Sequence, residues 1–355
     1  MPLPHAAAMI DRQADACGEL GSPLYEFLLR RAALDVASGG PCAAAVVGHE
    51  DAPGPDAIAL RLLGGVHALV LTGRAPDLAA YYPSAGGRFT LPVPGGAWTA
   101  FRTTVADHLD WVRSWLTRPP QTNETGRANL LIAGLLHLLA DTPRPVRLFE
   151  LGASAGLNLL ADRFRCEWSG GAHGPAGSPV RLTDAWRGDP VFPLDRPLPE
   201  LEFTERRGCD LTPIDPLSPE GALALRAYVW ADRPERAARL DGALALAAEH
   251  PVKVERIGAA DFLGPVSVAE EALTVVWHSV MRQYVPAEEW ARVEAELARL
   301  AAASTPTAPF AHLAFEPTRV GGSEQRRFVL TVRAGTGPAQ VLAEAVPHGL
   351  PAWAW

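Results

Sequence analysis

The sequence predicts an α/β chain in which a helical N-terminal cap precedes a wound, mostly parallel sheet that ends in an antiparallel hairpin. Three observations carry this. The run Leu148-Phe149-Glu150-Leu151-Gly152-Ala153-Ser154-Ala155-Gly156-Leu157-Asn158-Leu159-Leu160 holds a buried strand, a glycine turn and a helix start. Downstream of it, strand-like and helix-like segments alternate. Upstream, the apolar spacing is helical.

From Leu24 to about Leu116 apolar residues recur at three- and four-residue steps, as in Phe101, Val105, Leu109, Val112 and Leu116. Gly39-Gly40 and the cluster Pro83 to Gly96 interrupt the pattern, so several helices are expected to form a cap over residues 1–118. Pro119-Pro120 ends it. A helix from Thr122 to Ala140 follows, with Leu131, Leu135, Leu138 and Leu139 as its stripe and Asp141-Thr142-Pro143 as its stop.

Residues 119–355 read as one α/β domain. Strands are expected at Val146–Leu151, Thr204–Cys209, Val252–Ile257, Leu273–His278, Ala311–Glu316, Arg327–Arg333 and Gln340–Val346. Helices are expected at Ser154–Phe164, Pro219–Val229, Pro234–Glu249 and Ala287–Ala303. The short Gly335-Thr336-Gly337-Pro338 connection leaves no room for a crossover, so the last two strands form an antiparallel hairpin. The Gly- and Pro-rich stretch 165–202, with Trp168 and Trp186, interrupts the first unit and is expected to be a lid or small hairpin insertion.

Composition narrows the function. A chain of 355 residues, 48% hydrophobic, does not lack a core, and its formal charge of −8 with no Lys/Arg run argues against nucleic acid as a partner. Cys17, Cys42, Cys166 and Cys209 are far apart, so neither a metal site nor a disulfide framework is expected. There is no signal-peptide pattern and no apolar run of the ~18 residues a membrane span needs, so a cytoplasmic protein is expected. A small-molecule substrate is anticipated, and self-association as a homodimer stays open.

In open parallel sheets the ligand lies outside the carboxyl ends of the strands, and the residues there are polar: Glu150, Asp210, Asp261-Phe262, His278-Ser279 and Glu316. A carboxylate after the second strand suits both ribose hydroxyls of an adenosine, a role for Asp210. An acidic residue with an apolar neighbour after the third suits adenine, a role for Asp261 and Phe262. Each carboxylate could equally be a solvated loop residue or a helix cap.

The helix over 122–140, roughly 28 Å against roughly 20 Å for the strand, is expected to overhang this edge with Gln121, Asn123, Glu124 and Arg127, the last pairing an amino acid carboxylate. An ordinary polar first turn is the competing reading. His278, with an ordinary pKa near 6.5, is a candidate general base or a neutral wall residue, and Tyr284 and His348 are weaker candidates. Arg233, Arg236 and Arg239 read either as an anion clamp or as a salt-bridged helix face.

From about Pro119 to Trp355 the chain resembles class I S-adenosylmethionine-dependent methyltransferases. It resembles more closely an uncharacterised bacterial domain-of-unknown-function family, through Gln121-Thr122-Asn123-Glu124 with Arg127, Glu150 to Asn158, Gly208 to Pro213, Arg233 to Leu240, His278-Ser279 and His348-Gly349. The first resemblance implies a Rossmann-like seven-stranded sheet that binds S-adenosylmethionine, with Glu150, Gly152 and Gly156 lining the methionine and ribose side. Ser154, Asn158, Ser279, Asp210 and Asp261 join them as expected cofactor contacts. Ser154 departs from the family's middle glycine, and His278-Ser279 replaces the Asn/Asp-Pro-Pro-Tyr motif of amino-methylating enzymes.

The expected activity is methyl transfer to a small molecule. The alternative is cyclisation of the cofactor's own amino acid to a small ring with release of methylthioadenosine, using His278 or Glu124 as base. A third reading takes Gly152-Ala153-Ser154-Ala155-Gly156 as a G-x-S-x-G hydrolase elbow, with Asp261 and His348 completing the triad order. Glu150 in the elbow strand and the helical upstream region argue against it.

Overall fold

The computed structural model describes residues 3–91, 95–118, 120, 122–321 and 326–355. It divides into two compact units, Met1–Thr122 with Ser218–Ala238, and Asn123–Leu217 with Arg239–Trp355.

The first unit is helical. Pro4–Glu19, Pro23–Ala37, Pro41–Ala45, Ile58–Leu71, Pro76–Ala79, Gly95–Asp107 and Leu109–Leu116 surround one apolar core. Helix Ile58–Leu71 is buried from Ile58 to Val70 except at Leu60 and Arg61, which makes it the central member. Helix Pro4–Glu19, not read from the sequence, buries the small stripe Ala6, Ile10, Ala14 and Cys17. Ser22 caps the next helix by accepting from Tyr25 N (3.3 Å), and Asp232 holds both Ser22 Oγ (2.6 Å) and Leu24 N (3.0 Å). The segment Ser218–Ala238 therefore joins this unit, whereas the sequence rhythm placed it in the α/β alternation. Its Ala227 and Tyr228 cluster with Ala68 and Trp115, and Gly64 leaves room for the Tyr228 ring.

The second unit contains the strands β1 (Val146–Leu151), β2 (Arg165–Trp168), β3 (Gly171–His173), β4 (Arg181–Leu182), β5 (Phe203–Asp210), β6 (Val254–Arg256), β7 (Leu273–Ser279), β8 (Phe310–Arg319), β9 (Arg326–Ala334), β10 (Gln340–Ala345) and β11 (Ala352–Ala354). Eight of them form one sheet in the order β11-β10-β9-β8-β7-β1-β5-β6. β6, β5, β1, β7 and β8 are parallel, and β9 and β11 run against them. The expected hairpin is present as β9–β10. The eighth strand, only three residues long, is additional to the seven expected.

The winding reverses between β1 and β7, the switch point at whose carboxyl ends open α/β sheets hold their ligands. β1 is buried at Val146 and from Leu148 to Leu151, as a strand covered on both faces must be. One cover is the apolar cluster of Phe149, Leu151, Phe262, Val276, Trp290 and Val293. Helix Ala128–Leu139 approaches β8 and β9 elsewhere, where Gly134 accommodates Leu313.

Three expectations change. The helix over 122–140 is a 3₁₀ turn, Thr125–Arg127, followed by Ala128–Leu139, because Glu124 ends the extended approach by capping Gly126 N (3.1 Å). The segment after Gly156 is a seven-residue 3₁₀ turn, Leu157–Arg163, in place of an α-helix, since Arg165 already enters β2. The insertion 165–202 carries the small sheet β3-β2-β4. Trp168 and Trp186 converge there on Phe192 at 5.4 and 6.3 Å, and Asn129 and His137 fasten it through Ala185 O (3.1 Å) and Val191 O (3.1 Å).

All four cysteines are free and buried, and burial pushes the Cys17, Cys166 and Cys209 thiols up to about 12. Among the described residues no helix is long and apolar enough to cross a membrane, and no group of metal-ligating side chains assembles.

Candidate functional site

Two loops meet at the β1/β7 switch point, and each carries a residue in an uncommon backbone conformation. After β1 the chain passes through Gly152 (φ +67°), Ser154 (φ +54°) and Gly156 (φ +75°). After β7 it passes through Val280 (φ +50°), a β-branched residue in the left-handed region. Such geometry costs on the order of 1–3 kcal/mol and persists only where the surroundings enforce it.

The surroundings of the first loop are explicit. Ala153 N donates to Cys209 O (2.9 Å), Ser154 N to Asp210 Oδ2 (2.9 Å), Gly156 N to Ala153 O (2.7 Å) and Leu157 N to Asn123 Oδ1 (2.8 Å). Asp210 Oδ1 accepts from Thr212 N (2.9 Å), so this carboxylate ties the β1 and β5 loops together. These four backbone donors are spent within the protein.

Beneath the turn lies Glu150, 2% exposed. In register it stands between Gly208 of β5 and Trp277 of β7. Burial pushes its carboxyl up to about 8, against partial opposition from the Asn158 side chain, and the Asp210 charge adds to the rise. Glu150 Oε2, Asn158 Oδ1 and Trp277 Nε1 are all buried without a well-formed hydrogen bond. The Asn158 and Trp277 side chains still act on the Glu150 carboxyl as hydrogen-bond partners that lower its pKa, so the three groups form one loosely paired polar cluster.

Glu316, from β8, organises the second loop. Its Oε1 accepts from Met281 N (3.0 Å) and Arg282 N (3.3 Å) and lies 2.8 Å from His278 Nδ1. His278 Nε2 is 3.1 Å from His312 Nε2, so both ring nitrogens of His278 are engaged. Burial, with His278 and Arg333 nearby, holds His312 well below its ordinary pKa. His278 is 2% exposed and meets Trp290 edge-on at 5.2 Å. This is a wall residue's environment. Glu316→Leu is expected to cost about 2–4 kcal/mol, because it strips the acceptor from two part-buried amides and one buried imidazole, whereas Glu316→Gln keeps an acceptor and costs about 1 kcal/mol. Urea unfolding of the two variants checks the difference.

The motif around Glu124 is the third side of the site. Glu124 is buried, with Arg239 Nη2 3.9 Å from its Oε1 and His348 Nδ1 3.5 Å from its Oε2. Arg127 Nε donates to Pro347 O (3.1 Å) and Arg127 Nη1 to Ser279 O (3.4 Å). Asn129 Nδ2 reaches Gly349 O (3.0 Å). The two distant motifs at 123–127 and 347–349 are thus one structural joint, with the backbones of Gly126 and Gly349 in close approach. Tyr284 follows on the second loop, 57% exposed, with Arg127 and Glu316 as the charges acting on its phenol.

Of the residues expected at the site, Asn123, Glu124, Arg127, Glu150, Gly152, Ser154, Gly156, Asn158, Asp210, His278 and Ser279 come together here. Gln121 lies outside the described residues. Asp261 stands past β6, its side chain 56% exposed and paired with Arg292, and Phe262 is packed in the core edge-on to Phe149 at 6.3 Å. His348 faces Glu124 and Asp261 faces Arg292, a different pairing from that of a hydrolase triad. Arg233, just before the helix Pro234–Glu249, pairs with Glu235, whereas Arg236 and Arg239 are buried, Arg236 over the Trp230 ring at 5.3 Å, so the three form neither an exposed salt-bridged face nor one clamp. Trp277, Met281 and His312 were not read from the sequence, because apolar strand residues and a lone methionine carry no chemical signal. Met281 lies directly on Gly152, where a Cβ would come within 3.0 Å of its Cβ.

The chain belongs to a family described as an uncharacterized protein conserved in bacteria (DUF2332), whose model matches residues 7–354 and so spans both units. No curated protein and no solved structure matches it.

Proposed function

We propose that this chain is an S-adenosylmethionine-dependent enzyme whose nucleoside site is at the β1/β7 switch point, and that it transfers a methyl group to a small molecule. The observation that carries the reading is the buried, loosely paired polar cluster of Glu150, Asn158 and Trp277 under a glycine turn at the switch point. The strand order β6-β5-β1-β7-β8 supports it. So does the commitment of the turn's four backbone donors to the protein itself, which suits a ligand without phosphate. When bound, the cofactor supplies an electrophilic methyl on a sulfonium.

The residues fit that group. Glu150 offers a carboxylate to the positively charged methionyl part, and Asp210, held between the β1 and β5 loops, presents an acceptor carboxylate for ribose hydroxyls. Arg127, oriented by the Pro347 and Ser279 carbonyls, faces the cofactor's carboxylate. The Met281 side chain, unbranched and flexible, swings from Gly152 to admit the ligand. Glu124 is committed to Gly126, Arg239 and His348, and His278 to Glu316 and His312, so neither is placed to take a proton from the cofactor. That weighs against cyclisation. The Asp261–Arg292 and His348–Glu124 pairings weigh against the hydrolase reading.

Calorimetry with S-adenosylmethionine, followed by product identification after incubation with small-molecule extracts, tests the proposal. The expected outcome is one-to-one binding and formation of S-adenosylhomocysteine. Methylthioadenosine would establish cyclisation instead, and absence of binding would overturn the assignment.

A further inference from the structure

The first unit contains a second arrangement with chemical potential. Ser84 is exposed on the turn Pro83–Ala85, and its Oγ lies 2.7 Å from Nε2 of His67, a residue 1% exposed on the central helix. His67 Nδ1 is 3.1 Å from Ala227 O and 3.3 Å from the Tyr25 hydroxyl. A carbonyl oxygen only accepts, so Nδ1 carries the ring proton, and the Nε2 lone pair faces the serine hydroxyl. Burial lowers the His67 pKa to about 4 against the Ala227 and Val229 carbonyls, so the ring is neutral near pH 7 with a lone pair free to accept, and is a weaker base than an exposed histidine. A nucleophile, a base within hydrogen-bond reach and a third group orienting that base are the elements of an activated serine.

The serine is held firmly. Ser84 N donates to Ala231 O (2.9 Å), Gly86 adopts φ +80°, and a side chain at Gly87 would strike Ala79 O. The amides of Ala85, Gly86 and Gly87 are spent on the carbonyls of Tyr82 and Pro83, which leaves none of the three to support an oxyanion. That distinguishes an acceptor of one group from a site of rapid turnover.

We propose that Ser84 is an activated nucleophile that accepts a single acyl or phosphonyl group from a reactive ester. Its Oγ forms the new bond to carbon or phosphorus, its proton passes to His67 Nε2, and the bond to the leaving group breaks. The leaving alkoxide or phenoxide then takes the proton from His67; when the donor is a fluorophosphonate the leaving group is fluoride, and His67 gives its proton to water.

The test is labelling of the full chain with a fluorophosphonate and with p-nitrophenyl acetate, with the modified serine located by peptide mass mapping. The expected result is an adduct on Ser84 that forms about 100-fold faster in the folded chain than in urea, the scale of general-base assistance, and is lost in Ser84→Ala. The folded-against-unfolded comparison needs no substitution of the buried histidine. Equal rates in the two states, or an adduct confined to another serine such as Ser154, would overturn it.

Discussion

Glu150→Gln is expected to weaken S-adenosylmethionine binding about 100-fold or more and, at the same time, to make the protein more stable at pH 9. Both effects come from one carboxyl. Its pKa in the folded chain is about 8, against an ordinary value of 4.5. Between those values the folded chain holds a proton that the unfolded chain has released. The stability contributed is therefore fully present below about pH 4.5, is lost as pH rises to about 8, and is level above that, over a span of about 3–5 kcal/mol. Glutamine has no such loss, and its amide can serve both Asn158 Oδ1 and Trp277 Nε1. A bound cation reverses the balance by favouring the carboxylate. At pH 7 the wild type is expected to release close to one proton on binding, detectable by calorimetry in buffers of different ionisation enthalpy, and the variant none. Truncating one partner of a buried charge pair costs about 2–5 kcal/mol, which sets the loss of affinity. Unchanged affinity with no proton release would remove Glu150 from the site.

Gly349→Ala is expected to be among the most damaging single-methyl additions in the second unit. Gly349 has φ +85°, and a Cβ there would lie 2.4 Å from Gly126 O and 2.5 Å from Arg127 Cα. These are backbone atoms, which cannot rotate aside. The left-handed conformation and the overlap together are expected to cost about 3–5 kcal/mol, a fall in Tm of about 10 °C. Because the same joint positions Glu124 and Arg127, cofactor binding is expected to fall with it. A shift of less than about 2 °C in scanning calorimetry would show that the close approach relaxes easily.

Much of this architecture is legible in the residues. Val146–Leu151 and Pro234–Glu249 run where apolar periodicity places them, because a strand covered on both faces and a long amphipathic helix leave strong signals. The Gly335–Pro338 turn likewise dictates its hairpin. What escaped depends on partners far along the chain. The strand β11 is too short for its own pattern, and the turn after Gly156 stays 3₁₀ where the chain enters β2 at Arg165, its first amide held by Asn123, 34 residues earlier. His278 reads as a base until its neighbours are known; they come from β8, 34 and 38 residues later, and occupy both ring nitrogens. Glu124 and His348 each look available in isolation, yet they face one another across the joint. The Val280 conformation leaves no mark in sequence, since valine ordinarily avoids it.

A crystal structure of the protein grown with S-adenosylhomocysteine tests the proposed nucleoside site most directly. Ligand density is expected over the turn from Gly152 to Gly156 at the carboxyl edge of β1 and β7, with the Met281 side chain moved off Gly152, Asp210 on the ribose hydroxyls and Glu150 facing the amino acid end. Ligand bound elsewhere, or that turn closed with the Ser154 hydroxyl directed at a His348 base, would contradict it.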